Sequence, residues 1–395
     1  MLGSDSAARV LLLASIAAGA GCNIIFGIES GHEAPDAAAT LSAGTGGAGG
    51  GGGGGAGGNT GAGGGGGAGG AGGDGGSPAC PAPTCAIGDC TVEDLTPGYA
   101  SETKGMALTE SRVIWANGSS IDFLLKDGSG LGTIVGTGGL GSTIWVAVSS
   151  GQLSWVNWDA SVVRGISLEP PSQTPFTIAD VPPQPDPVGS YFGRITTFGD
   201  HVYWATQTPA AVWRALSDGS GQLEQITTVG LPEGVAVSSS HVYWADNSAA
   251  KILRKPTDSI GTNAEVFAQT SGAPTAVVVQ DDVVYWVTNG GAVQSKAESA
   301  ALAQPPFTIA LDPQAQSKAI AVDSAFVYWT VYRNELLGGQ GEIRRAPKGS
   351  AEAVTLVSGQ PYFFEIAVDC GAIYWNINNL DGGDPGSLHR IAHPR

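Results

Sequence analysis

Basic residues are scarce in this chain of 395 residues. Only 18 Lys and Arg stand against 35 Asp and Glu, giving a formal net charge of −17. That shortage argues against nucleic acid as a partner, because phosphate binding needs patches of Lys and Arg. It argues equally against adsorption to anionic lipid by charge. Histidine is also sparse, with five in all. No His-Glu-x-x-His helix, phosphate loop, Gly-x-Ser-x-Gly elbow or triad order is present. No motif in the sequence therefore nominates a catalytic residue, a metal ligand set or a cofactor. The apolar run Val10–Ala20 is about a dozen residues, short of the ~20 needed to span a bilayer.

Glycine is abundant, at 62 residues, but unevenly spread. Gly46–Gly76 is nearly all Gly and Ala. Such a tract has almost no side chain to bury and cannot offset its ordering entropy. Its Gly-x-Gly-x-x-Gly strings arise from composition alone, with no strand before them and no helix after. Residues 22–79 thus read as a disordered tether, with an r.m.s. reach of roughly 40 Å. The remainder, residues 80–395, holds about 300 residues, enough for one large all-β ring.

The N-terminus reads as an address. Arg9 precedes the apolar run, and small residues lead into Gly21-Cys22. A short apolar core of this kind suits a signal peptide over residues 1–21. The pattern resembles a bacterial lipoprotein signal, in which the cysteine is lipidated and becomes the mature N-terminus. Where that family prefers Leu three residues before the cysteine, this chain has Gly19. The resemblance implies export and a lipid anchor on Cys22, with an ordinary cleaved secretory signal as the alternative. Asn23 follows the cysteine in place of Asp, which by the same resemblance points to the outer membrane. Contact with a membrane is then expected through the anchor only, and the folded part is expected to be a monomer.

The strongest signal is an internal repeat. Aligned on tryptophan, the units are Arg112–Trp115, Gln152–Trp155, His201–Trp204, His241–Trp244, Val283–Trp286, Phe326–Trp329 and Ala372–Trp375. Successive tryptophans are 40, 49, 40, 42, 43 and 46 residues apart. Such spacing is the length of a four-stranded propeller blade. Each unit opens with a short apolar strand, such as Gly234-Val-Ala-Val or Ala319-Ile-Ala-Val. A tight turn leads to the Tyr-Trp strand, then a third strand such as Lys251-Ile-Leu-Arg254. Asp127-Gly-Ser-Gly130 and Asp218-Gly-Ser-Gly221 read as hairpin turns, since Asp-Gly accepts positive φ. The fold class is therefore all-β, a single propeller of seven four-stranded blades, with six as the alternative. The Tyr-Trp strand resembles propellers of the low-density-lipoprotein-receptor type, which are named for a Tyr-Trp-Thr-Asp repeat and have six blades. Tyr243-Trp244-Ala245-Asp246 and Tyr328-Trp329-Thr330 match best, and Thr and Asp never occur together. The recurring tryptophans are expected to pack between blades and not to touch a ligand.

The last repeat stops after a third strand, Ser387–Ala392. An open blade would expose an edge, so residues 90–96 are expected to supply the missing strand and close the ring. With Cys22 lipidated, four cysteines remain: Cys80, Cys85, Cys90 and Cys370. An even count in an exported protein favours disulfides. Three connectivities are open, and the reading favours Cys90–Cys370 with Cys80–Cys85, a zinc site being the functional alternative.

Propeller geometry nominates a working face. Loops leading into each first strand and loops following each Tyr-Trp strand share one end of the channel. That end gathers Tyr191, Phe192, Arg194, Tyr332, Arg333, Tyr362, Phe363 and Glu365. Aromatics mixed with Arg and acids suit recognition of a protein, peptide or glycan. The expectation is a cell-envelope-anchored binding module. A propeller hydrolase or lyase is the alternative, with Glu233, Glu365 and Asp246 as candidate acids at the channel mouth. His201 and His241 occupy equivalent turns, and repeat homology explains them better than a shared metal.

Overall fold

The computed structural model describes residues 85–394, apart from 98–102, 119, 137–142, 150, 158–161, 170, 172–173, 181–191, 229, 259–262, 334–340, 361–362 and 378–385. The expected signal segment, Cys22, the expected glycine tether and Cys80 lie outside the described residues. Among the described residues every regular element is a strand, and the strands form seven separate four-stranded antiparallel sheets. Each sheet is one blade, and the blades follow the seven tryptophan repeats in order. The repeat around Trp155 forms a complete sheet of its own, so the ring has seven blades and not six.

The hairpin turns explain much of the local structure. Asp127 Oδ1 accepts from the Ser129 amide at 2.8 Å and its hydroxyl at 2.6 Å. Asp218 holds Ser220 in the same way. The glycines between them, Gly128 and Gly219, have φ of 90° and 75°, which favours glycine over other residues. These carboxylates are committed to their own turns.

The core is divided among the joints between blades. Trp204 packs with Trp145 and Val156 of the blade before it. Trp155 meets Ile114 and Ile121, and Trp244 meets Tyr203 and Val212. Trp286, Trp329 and Trp375 repeat the arrangement against the preceding blades. All seven repeat tryptophans are at most 1% exposed, so they hold the ring together, as the sequence suggests.

A second inter-blade device recurs outside this core. Arginines on third strands donate to a backbone carbonyl just past the third strand of the following blade. Arg214 reaches Thr257 O at 2.7 Å, Arg254 reaches Glu298 O at 3.2 Å, and Arg345 reaches Pro394 O at 2.9 Å. Arg390 closes the circle by donating to Lys126 O. In all four blades the arginine lies directly across from the tyrosine of the Tyr-Trp pair.

The ring is closed by its own N-terminus. Glu93–Asp94 pairs antiparallel with Ser387–Ala392, completing the last blade. Leu95, Met106 and Trp115 then pack with Tyr374 and Leu388 across the closure. The favoured disulfide scheme is overturned. Cys85 bonds Cys90, with Cα atoms 5.1 Å apart, so neither Cys80–Cys85 nor Cys90–Cys370 forms. The five-residue separation brings the two sulfurs together within one turn, ahead of the distant Cys370. Cys370 sits at an exposed turn. Cys85 also bridges Pro394, so the chain enters the ring beside its C-terminus. His393 Nε2 contacts the carbonyl of Asp369, in the turn between the last blade's first two strands. The chain therefore enters on the face opposite the loops that lead into the first strands.

Candidate functional site

The seven innermost strands run from one channel mouth toward the other face. They are Thr103–Leu108, Thr143–Ser149, Phe192–Phe198, Pro232–Val237, Pro274–Gln280, Ala315–Val322 and Phe363–Val368. Each of the seven breaks register near its mouth end, between its early residues and the apolar run that follows. Such β-bulges leave residues outside the ladder and re-aim their side chains, often beside functional sites. The charged residues of the innermost strands fall in or beside these bulges: Lys104, Arg194, Glu233, Lys318 and Glu365. They come from blades 1, 3, 4, 6 and 7.

Close approach of the strands brings several of them together. A Cβ on Gly193 would lie 2.7 Å from Glu233 O and 2.8 Å from Ala205 Cβ, so only glycine lets blades 3 and 4 meet here. Arg194 is 1% exposed. Its guanidinium lies 5.9 Å from the Trp145 ring centre, and its Nη2 donates to Lys318 O at 3.3 Å. That bond links blade 3 to blade 6, which are not neighbours in the ring, so it crosses the channel.

Glu365 is fully buried. Its Oε2 accepts from the Met106 amide at 2.7 Å, while Oε1 has no hydrogen-bond partner among the described residues. Burial pushes its carboxyl well above the usual range, against the opposing pull of Arg194 and the Met106 amide. Asn376, its cross-strand neighbour, donates to Lys104 O and leaves Oδ1 buried without a partner. Glu233 is half-buried. Burial raises it to about 7, with Lys318, Arg194 and a bond from Asn247 pulling the other way. Its Oε2 is likewise buried and unpartnered.

The mouth is therefore a mixed site. Arg194, Glu365 and Trp145 form a buried floor, and the half-buried Lys104, Glu233 and Lys318 stand nearer solvent. The sequence picked out Arg194 and Glu365, and weighed Glu233 as an acid. Lys104 and Trp145 escaped it. Their one signal was position near the start of a first strand: Lys104 stands where Glu233 and Lys318 do, and Trp145 where Arg194 and Glu365 do.

The remaining nominees are placed differently. Phe363 is 2% exposed and packs in the core with Ile377, so it offers a ligand almost no surface. Tyr332 is half-buried. Arg333 pairs with Asp312 at 2.7 Å and Glu342 at 3.6 Å, out along blade 6. Tyr191, Tyr362 and the side chain of Phe192 lie outside the described residues. Asp246 does not join Glu233 and Glu365. Its Oδ1 accepts from Leu231 N, Ser248 Oγ and Ala249 N, at 3.1, 2.8 and 3.2 Å, and so ties its own loops. His201 contacts Asp200 and His241 contacts Ser240, each within its own turn on the opposite face. Among the described residues no group of three His, Cys, Asp or Glu side chains is placed to hold a metal ion.

No family model matches the chain, and no curated protein matches it significantly. Solved structures do resemble it. Virginiamycin B lyase from Staphylococcus aureus, in complex with quinupristin, superposes with a TM-score of 0.59 at 14% identity, over 77% of this chain and 100% of that one. YCF48 bound to D1 peptide gives 0.58 at 10% identity, over 80% and 99%. The RRP9 WD40 repeats give 0.57 at 12% identity, over 79% and 99%. At these identities the likeness shows the fold alone. The chain is a β-propeller. Propellers similar to it include a lyase and a peptide-bound protein, so the fold does not choose between catalysis and binding.

Proposed function

We propose that this propeller is a binding module, recognising a protein, peptide or glycan through the channel mouth that carries Lys104, Arg194, Glu233, Lys318 and Glu365. The observation that carries this reading is the convergence of bulge-borne charges from non-neighbouring blades on one mouth. Folding does not require charge at these positions, because in blade 5 Thr275 stands where Lys104, Glu233 and Lys318 do, and Ala276 where Arg194 and Glu365 do. The chain's point of arrival supports the same face. It arrives at Cys85 on the opposite side, so a tether anchored at Cys22 would turn the mouth away from the membrane. In this reading the protein is exported and lipid-anchored to the bacterial cell envelope, on the outer membrane.

The test is capture by the full-length protein from a cell-envelope extract. It compares wild type with Lys104→Glu/Lys318→Glu at the mouth and Asp218→Lys on the opposite face. Capture should be lost in the first variant and kept in the second. Equal capture by all three would overturn the assignment of the face.

One observation favours a second reading, a hydrolase or lyase. A carboxyl held at about 7, as Glu233 is, suits proton transfer near neutral pH. In that case Glu233→Gln would abolish turnover of whatever the mouth captures while leaving capture intact.

A further inference from the structure

Away from the channel mouth, ionisable groups also gather in the joint between blades 3 and 4. The third strands of these blades, Ala210–Leu216 and Lys251–Pro256, bring Arg214 and Lys255 to opposite sides of that joint. Between them is a small cleft lined by Arg214, Glu224, Ile226, Val242, Lys255 and Thr257. It encloses about 10 Å³, room for one water-sized group. Glu224 on its wall is 34% exposed, so the cleft is within reach of solvent. Lys255 is 4% exposed. Its Nζ donates to Ile226 O at 2.6 Å, its one hydrogen-bond partner among the described residues. An ammonium has three N–H groups to satisfy, and a neutral amine has fewer. Burial, and after it the charge of Arg214, lower Lys255 below the ordinary lysine range. Arg214 itself is fixed by Glu224 at 2.5 Å, by Thr257 O at 2.7 Å and by Tyr203.

The next joint repeats this cast with a different outcome. Between blades 4 and 5 stand Arg254, Glu265 and Lys296, and Lys296 donates to Phe267 O at 2.8 Å. There the ammonium has a second carbonyl, Leu302 O at 2.9 Å, and the Phe267 ring 5.0 Å away. The protein thus solvates Lys296 as a cation. At Lys255 a cleft and a guanidinium stand in place of those partners.

We propose that Lys255 is a carbamylation site: its neutral amine takes up carbon dioxide, and the carbamate formed lies in the cleft beside Arg214. The Nζ lone pair bonds to the carbon of carbon dioxide, one C=O electron pair moves onto oxygen, and one amine proton leaves to solvent. Nothing is oxidised or reduced. The product nitrogen keeps one N–H for Ile226 O, and its two new oxygens carry the negative charge toward the guanidinium. A repulsive pair, Lys255 and Arg214, becomes an attractive one across the joint. The cleft also selects the electrophile. Carbon dioxide is small, enters a buried place uncharged, and becomes an anion only beside Arg214. An aldehyde would give a neutral imine with no N–H for Ile226 O and no charge for Arg214. An acyl donor would give an amide, again without charge.

The experiment is chemical trapping on the full-length protein. It is equilibrated with isotopically labelled bicarbonate at pH 8, alkylated with a trialkyloxonium salt that fixes carbamates as esters, and mapped by mass spectrometry. Lys255 should carry the label and Lys296 should not. Lys255→Arg keeps a donor for Ile226 O but forms no carbamate, so its label at this position should vanish while circular dichroism stays that of wild type. Bicarbonate should also raise the urea midpoint of wild type and leave that of Lys255→Arg unmoved, with nitrate at equal ionic strength as the control. Absence of label from Lys255, or equal label on Lys255 and Lys296, would overturn the proposal. So would stabilisation by bicarbonate without label, which would make the cleft a simple anion site. If Lys255→Arg does not fold, the label map of wild type decides alone.

Discussion

Replacing Glu365 with Gln should stabilise the propeller, and should do so only above acid pH. Glu365 is fully buried, with the Met106 amide on one oxygen. Its folded-state pKa lies well above the ordinary value of 4.5. Between those two values the native state holds a proton that the unfolded chain has lost. Stability from this group is therefore full below pH about 4.5 and falls as pH rises, by about 1.4 kcal/mol per pH unit until the folded carboxyl ionises. At pH 7 the loss cannot exceed about 3.5 kcal/mol. Glutamine has the shape of the neutral acid. Its carbonyl can keep the Met106 bond, and its amide can donate to the unpartnered Asn376 Oδ1 across the strand pair. Glu365→Gln should gain up to about 3.5 kcal/mol at pH 7 and almost nothing at pH 4. Glu365→Ala strands the Met106 amide in the core and should lose roughly 1–3 kcal/mol at either pH, with a cavity penalty added. Urea unfolding at pH 4, 5.5 and 7 reads all three proteins. If Glu365 is instead an ionised partner of Arg194, glutamine breaks a buried pair and costs roughly 3–5 kcal/mol at pH 7. That result would refute the reasoning.

Two further outcomes follow from the packing. Trp155→Ala should cost about 3–5 kcal/mol, because Trp155 is fully buried between blades 1 and 2; a loss under about 0.5 kcal/mol, the surface range, would mean that the second repeat is not a true blade. Gly193→Ala should cost roughly 1–3 kcal/mol, since its new methyl would press on the Glu233 carbonyl and Ala205. Denaturant titration measures both, and an unchanged midpoint for Gly193→Ala would contradict the close approach of blades 3 and 4.

The ring was legible in the sequence because its signal repeats. Seven tryptophans at blade spacing, with Asp-Gly turns between strands, constrain one architecture. The missing fourth strand of the last blade also pointed back to residues 90–96. Arg214, Arg254, Arg345 and Arg390 were visible as strand residues, but their inter-blade role is a matter of register and needed coordinates. The site was only half legible. Glu365 and Arg194 were marked by loop position, yet the same reasoning nominated Phe363, two residues before Glu365. Residues two apart on a strand would share a face, but the bulge between them breaks that rule. Asp246 looked like an acid at the mouth because the Tyr-Trp strand ends there; its three turn bonds decide otherwise. The cysteine pairing failed for a simpler reason: placing Cys370 at the end of the ring where the closing strand enters favoured Cys90–Cys370, but Cys85 and Cys90 meet within one turn.

The central claim is that charges from non-neighbouring blades meet at one channel mouth, and a double-mutant cycle on Glu233 and Lys318 tests it most directly. These residues lie on blades 4 and 6, and Lys318 is the foremost cation acting on Glu233. At pH 8, where Glu233 is ionised, Glu233→Gln and Lys318→Met should couple by roughly 0.5–3 kcal/mol, and the coupling should shrink at pH 5 as Glu233 takes up its proton. Additivity within about 0.5 kcal/mol at both pH values would mean that the two side chains do not face one another, and would contradict the site.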